Sequence, residues 1–353
     1  MKKNKILLGT TTFNRRIKDG IYYYTKFIYD HMPYNFDFIK FSFNEKYNLW
    51  TNYSYSYYAI INLLTNANFK LKSKVDLIHI TDHRFIYNKS VPVINTIHDV
   101  IPLDFPEWEK NFLRKKFYSK LFMKGILNSD EIITVSNFSA NRLNLLGIKS
   151  KKINVIYNCP RKIFFQKKKK IIIKQNLILF VGTISPRKNL FRVLKAFTFL
   201  EKELFDNYRL VIVGKINFIS KEEKLLLNKL IKFGKVLFFQ NASDRILSNL
   251  YKVAKLLIFP SLYEGFGYPI LEAFASNCPV ATSNFGSTKE ISGGAALLLN
   301  PYCINDIKKC ITELIINNLL REELIKKGQA RVKLFSKENF LNKTSIVYRK
   351  VLK

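Results

Sequence analysis

The chain has 353 residues, 48% of them hydrophobic, enough for about two domains with cores of their own, and this excludes a disordered protein. Its 59 basic and 26 acidic residues leave a formal charge of +33, but the lysines run along the whole length among many Asn and Ile, so charge alone does not argue for a nucleic-acid partner. Cys159, Cys278, Cys303 and Cys310 lack metal-type spacing and read as reduced thiols, and no apolar run reaches membrane-spanning length.

The first ten residues place lysines before a short apolar run, Ile6–Leu8, which is too short for a signal peptide and reads as a first strand. A cytoplasmic location is expected. Strand-like runs then alternate with helical patterns, which predicts an α/β fold of parallel sheets with crossover helices. In the first half, strands are expected at Lys5–Gly9, Phe36–Phe43, Val75–Ile80, Pro92–His98, Glu131–Val135 and Ile153–Tyr157. In the second half they are expected at Asn176–Gly182, Arg209–Gly214, Val236–Gln240, Leu256–Phe259, Pro279–Ser283 and Ala295–Asn300. Each half suffices for one doubly wound sheet. Asn158 to Lys174, with Pro160 and the run Lys167–Lys170, reads as a hinge. The expected organisation is therefore a Rossmann-like domain over 1–160, a hinge over 161–175, a second Rossmann-like domain over 176–335 and a last amphipathic helix over 336–353. Such sheets bind ligands at the carboxyl ends of their strands. With two domains, the site is expected in a cleft between those ends.

Gly20 opens a helix over Ile21–His31 that puts Ile21, Tyr24, Phe27 and Ile28 on one face. His79 and His83 are spaced like a helical metal pair, but a strand at Val75–Ile80 turns them apart, so a structural role is expected. His98-Asp99 falls at the carboxyl end of the run Val93–Ile97. Further on, Arg114, Lys115, Lys116, Lys120 and Lys124 lie opposite Phe112, Leu113, Phe117 and Leu121 on one helix. That face is either solvated or set against an anionic membrane surface. Ser136 is a good N-cap for a helix ending near Gly147, and Ser220-Lys221-Glu222-Glu223 is a capping box.

After the strand ending at Gly182, Ser185 and Pro186 start a helix with Arg187 and Lys188 in its first turn. The helix dipole disfavours cations there. Two cations beside free backbone N–H groups make sense if an anion, such as a diphosphate, binds at that helix start.

The densest stretch is Ile258 to Asn277, IFPSLYEGFGYPILEAFASN. A short apolar strand meets Pro260, then the turn Glu264-Gly265-Phe266-Gly267, then Pro269 at the start of a helix over Ile270–Ser276. Glu264 sits in the loop and Glu272 in the helix. Acceptor-only carboxylates beside N–H donors suit a ligand rich in hydroxyls and phosphates.

This stretch, with VGTISPRKNL upstream and PVATSN downstream, resembles the E-x7-E region of retaining, family-4-type glycosyltransferases of the GT-B fold. The likeness covers most of the chain, densest from Leu177 to Pro301 and thin from Phe36 to Lys74. It implies two Rossmann-like domains facing a cleft, with the C-terminal helix crossing back to the first. It implies that Glu264 faces the donor sugar, that Glu272 binds the ribose, and that His98, in an H-D-x-x-P-L segment, faces the sugar from the opposite domain. Arg187 and Lys188 would meet the diphosphate, and Gly182, Gly265, Phe266 and Gly267 would line the nucleotide. Gly20 stands where relatives carry a Gly-x-Gly turn, but Tyr22 replaces the second small residue, so Gly20 either approaches ligand or simply starts a helix. Lys337 stands where relatives often have an aromatic, which predicts looser docking of the last helix.

The chain has no D-x-D pair of the metal-binding kind. No cofactor or metal is expected, only a nucleotide diphosphate sugar as donor, with GDP-mannose favoured by family likeness. The acceptor would be a saccharide, in a lipid-linked form that fits the basic helix, within bacterial O-antigen or capsule-like synthesis. No nucleic-acid partner is expected. A nucleotide-sugar hydrolase or epimerase of the same fold, or a basic membrane- or nucleic-acid-binding protein, are the alternatives.

Overall fold

The computed structural model describes residues 3–13, 20–33, 35–43, 55–71, 73–105, 112–165, 174–203 and 207–352. The lysine run at 167–170 and the stretch 44–54 lie outside the described residues. The chain forms two compact units, Met1–Asn158 with Lys337–Lys353, and Cys159–Ser336.

The first unit holds a six-stranded sheet: β1 (Asn4–Thr10), β2 (Phe36–Ser42), β3 (Leu77–Ile80), β4 (Val93–Ile97), β5 (Glu131–Thr134) and β6 (Ile153–Val155), in the order β2-β1-β3-β4-β5-β6. All neighbours are parallel, with Ile6 beside Leu77 and Ile94 beside Glu131. Parallel strands are covered on both faces, which is why they read as continuous apolar runs. Successive side chains serve opposite faces. Ile6 and Leu8 join Leu77, Ile94, Tyr24 and Ile28 on one side, while Leu7 joins Ile78, Ile80 and Phe69 on the other.

The last helix, Lys337–Val351, completes the first of these two cores with Phe340, Leu341, Val347 and Tyr348. Lys337 does not leave it loosely held. The Tyr348 hydroxyl lies 2.6 Å from His79 Nδ1, and Lys350 Nζ is 2.7 Å from Glu131. His79 is fully buried, with Nε2 2.8 Å from Thr96 Oγ1. This is the structural role expected of it. Burial holds the imidazole neutral, with a pKa pushed down to about 3.

The second unit repeats the architecture with β7 (Leu177–Val181), β8 (Arg209–Val213), β9 (Val236–Phe239), β10 (Leu256–Phe259), β11 (Val280–Ser283) and β12 (Leu297–Leu299). Its parallel order is β12-β11-β10-β7-β8-β9. The order reverses between β7 and β10, so the loops leaving these strands part to opposite sides and open a crevice at their carboxyl ends. Of the expected hinge, Lys162–Phe164 form a short 3-10 turn whose Phe164 is fully buried in this unit, edge-on to Tyr251 at 5.6 Å.

Local signals behave as their chemistry demands. Ser136 and Ser220 each accept an N–H three residues on, at 3.1 Å. The four cysteines are free thiols. The basic helix spans Phe112–Leu127, with side chains described from 119 onward. Among the described residues, no helix is long and apolar enough to cross a membrane, and no cluster of His, Cys, Asp and Glu could hold a metal ion.

Candidate active site

The loops leaving β7 and β10 carry the charges. Gly182 follows β7 with φ +144°, and a Cβ there would lie 2.9 Å from Lys188 Cε, so glycine both fits the backbone and leaves the lysine room. Arg187 and Lys188 are not in the first turn of the following helix, as expected from sequence. They occupy a separate 3-10 turn, Pro186–Lys188, and the helix begins afresh at Leu190. Asn189 makes the break. It is left-handed, at φ 63°, a region that Asn tolerates better than most residues. Its Nδ2 donates to the carbonyls of Pro260 at 3.1 Å and Pro301 at 2.7 Å. Ser185 supplies no side-chain cap.

This turn aims both cations at one carboxylate. Glu264 Oε2 is 2.7 Å from Arg187 Nη1, and Oε1 is 2.5 Å from Lys188 Nζ. Glu264 is 9% exposed and Lys188 6%. Leu262 N donates to the Arg187 carbonyl at 2.7 Å, and Ser287 Oγ to the Glu264 carbonyl at 2.7 Å, so both loops are pinned. Burial pushes the Glu264 carboxyl up, but Arg187 and Lys188 outweigh it and hold the pKa at about 2. Burial pushes the Lys188 ammonium down to about 8, only partly offset by Glu264. The sequence left two cations awaiting an outside anion. In the structure the chain's own carboxylate fills that role.

After Glu264 the backbone turns through Gly267, at φ 117°, into the helix Tyr268–Ala275. No side chain caps that helix start. Gly265 lies within this turn. Phe266 is buried against Tyr268 and Phe335, so only its backbone can face a ligand. Glu272, 5% exposed, sits on the inner face of the helix. Arg161 Nη2 reaches its Oε1 at 3.0 Å, and the Tyr251 hydroxyl donates to Oε2 at 3.1 Å.

The structure thus brings Gly182, Arg187, Lys188 and Glu264 together, with Glu272 at the centre of a neighbouring cluster on the same unit. His98 and Gly20 belong to the first unit. His98 Nε2 donates to the Thr81 carbonyl at 2.9 Å, which leaves Nδ1 as the lone-pair nitrogen. Tyr24 packs edge-on at 4.9 Å. Burial, with His83 adding to it, pushes the His98 pKa down to about 4, so the ring is neutral at pH 7. Asp99 accepts from Ile101 N at 3.1 Å, just ahead of the short helix Ile101–Asp104. Gly20 is the exposed first residue of the helix Gly20–His31, and its φ does not require glycine. Sequence reasoning passed over Arg161 and Tyr251, and took Asn189 only as the end of the run Ser185–Asn189, with no role of its own. The only local signal was Asn189 beside two cations and a proline.

Two doubly wound parallel sheets, the second with opposite charges gathered at its strand-order reversal, define a two-unit Rossmann-type α/β protein. The chain matches the family described as Glycosyl transferases group 1 over residues 162–331, and that described as Glycosyltransferase Family 4 over residues 40–159. It is 27% identical over 289 residues to an O-antigen chain mannosyltransferase B of Escherichia coli, covering 79% of this chain and 76% of the relative. It is 31% identical over 251 residues to the O-antigen chain mannosyltransferase RfbU of Salmonella typhimurium, covering 70% and 66%. Among solved structures it is similar to WaaG, a glycosyltransferase involved in lipopolysaccharide biosynthesis, with TM-score 0.72 and 18% identity over 97% of this chain and 99% of that one. It is also similar to Anabaena HepE in complex with UDP and glucose, with TM-score 0.72 and 15% identity over 98% and 100%. The chain belongs to the family-4-type glycosyltransferases and has the GT-B fold.

Proposed function

We propose that the protein is a retaining hexosyltransferase that moves a sugar, mannose from GDP-mannose in the favoured case, from a nucleoside diphosphate to a saccharide acceptor in bacterial surface polysaccharide synthesis. The carrying observation is the buried Arg187–Glu264–Lys188 cluster at the reversal point of the second sheet. The two cations would take the charge that develops on the departing diphosphate, a role that a metal ion fills elsewhere. Departure leaves an oxocarbenium-like sugar, and the acceptor hydroxyl attacks on the same face. No carboxylate pair set for double displacement is apparent among the described residues. Glu264 would support the sugar once the diphosphate occupies its cations. Glu272 would hold the ribose. His98, neutral and fixed in one tautomer, would contact the sugar. Gly182, whose own N–H donates to the Val213 carbonyl, would leave Lys188 room beside the diphosphate, and the turn Gly265–Gly267 would bring the ligand close to the backbone at a helix start.

The names of the relatives support mannosyl transfer in O-antigen synthesis, and the neighbour bound to UDP and glucose supports a nucleotide-linked donor. A lipid-linked acceptor fits the basic helix Phe112–Leu127 with its exposed Lys120, and the protein would then work in the cytoplasm, at the inner membrane face. The test is transfer from GDP-, UDP-, dTDP- and ADP-sugars with and without EDTA, with the product anomer read by NMR. Retention of configuration that survives EDTA is expected. Transfer abolished by EDTA overturns the metal-independent mechanism, and inversion overturns the retaining one.

A further inference from the structure

We infer that Arg161 is the positioning residue of the ribose subsite, clamping Glu272 so that its carboxylate faces the two ribose hydroxyls of the donor. This rests on the glycosyl-transfer reading above. A buried carboxylate without partners takes up a proton or turns to find one. Glu272 has a partner on each oxygen: Arg161 Nη2 lies 3.0 Å from Oε1, and the Tyr251 hydroxyl donates to Oε2 at 3.1 Å. With one donor on each oxygen, each keeps a lone pair. Two such positions on one fixed carboxylate match two vicinal hydroxyls. Burial raises the carboxyl above its usual range, while Arg161 and Tyr251 pull against it.

The clamp is itself clamped. Arg161 Nη1 lies 2.6 Å from Asp244 Oδ1, and the guanidinium sits 4.6 Å from the Phe164 ring centroid. Burial works against the guanidinium charge, but Glu272 and Asp244 outweigh it and hold its pKa above the ordinary value. The segment carrying Arg161 is fixed by Ser248 Oγ and Ser276 Oγ, which donate to the carbonyls of Ile163 and Phe164, each at 2.9 Å. A planar fork bridging two carboxylates over an aromatic face suits arginine and not lysine.

The experiment is calorimetric binding of GDP and UDP, and of their 2′-deoxy forms, to the unaltered protein and to R161M and Y251F. The unaltered protein should prefer the ribonucleotide by about tenfold or more, the value of a hydrogen bond to a charged acceptor. R161M should bring that preference to within about twofold while binding the 2′-deoxy form nearly as before. Y251F removes one hydroxyl, a milder change, and should lower the preference a few-fold. If R161M or Y251F keeps the full preference, or weakens both forms equally, the role given to Arg161 is overturned. So it is if the unaltered protein binds with no ribose preference. Failure of the unaltered protein to bind any nucleoside diphosphate overturns instead the functional reading beneath it.

Discussion

Replacing Glu264 by Gln should have opposite effects on binding and on catalysis. The substitution keeps the shape of the side chain and removes its charge. In the structure that charge lies 2.7 Å from Arg187 Nη1 and 2.5 Å from Lys188 Nζ. A diphosphate that reaches the same two cations must displace the carboxylate or sit beside it. Like unit charges about 4 Å apart at an effective dielectric near 20 repel by about 4 kcal/mol. Loss of the carboxylate removes that repulsion and leaves Arg187 unneutralised, but it also removes the partner that supports the Lys188 ammonium against burial, so the gain in affinity is smaller than the repulsion alone. We expect Glu264→Gln to bind free GDP or UDP about 10- to 100-fold more tightly, and to slow transfer by about 100-fold or more as the developing charge on the sugar loses its support. Calorimetry reads the first and a discontinuous transfer assay the second. If Glu264→Gln weakened nucleotide binding and transfer together, Glu264 would be holding the cations in place for the ligand, and the displacement idea would fail.

Lys188, with a pKa near 8, carries its charge below that value and loses it above, so nucleoside diphosphate affinity should be full at pH 7 and decline toward pH 9. In Lys188→Arg, whose guanidinium does not titrate, that decline should vanish from a calorimetric pH series. Asn189→Ala puts a Cβ-bearing residue without local hydrogen bonds into a left-handed conformation and cuts two bonds to Pro260 and Pro301. It should cost about 1–2 kcal/mol, with Asn189→Gly recovering the backbone part in thermal unfolding. Tyr348→Phe strands His79 Nδ1 in a fully buried site. A loss of about 1–3 kcal/mol is expected in urea unfolding, with little change in nucleotide affinity.

The alternation of apolar runs with helical patterns carried the architecture, because parallel strands covered on both faces leave no other pattern. Boundaries shifted only at element ends. The strand expected over Ala295–Asn300 is Leu297–Leu299, and that over Lys5–Gly9 is Asn4–Thr10. Caps such as Ser136 and Ser220 were legible since their partners lie three residues away. The geometry of the site was not, because its partners are remote. Lys188 finds Glu264 across 76 residues of chain, and Arg161 finds Glu272 across 111. A turn set by Asn189 on two distant carbonyls has no local signature that separates it from a plain helix start. The stretch read as a hinge hid Arg161 for the same reason. Proline and lysine mark a linker in composition, yet Phe164 shows that its first residues are core.

The last helix has a bearing on how the molecule is made. Phe340, Leu341, Val347 and Tyr348 finish a hydrophobic interior that Ile6, Leu8 and Ile94 begin, and the whole of Cys159–Ser336 is synthesised in between. On the ribosome the earlier half therefore waits, with apolar surface uncovered, while the later half is translated and can close without it. Chaperone dependence should track the nascent first half, and a stop codon or bulky fusion that disturbs Tyr348 should harm the part of the protein made first.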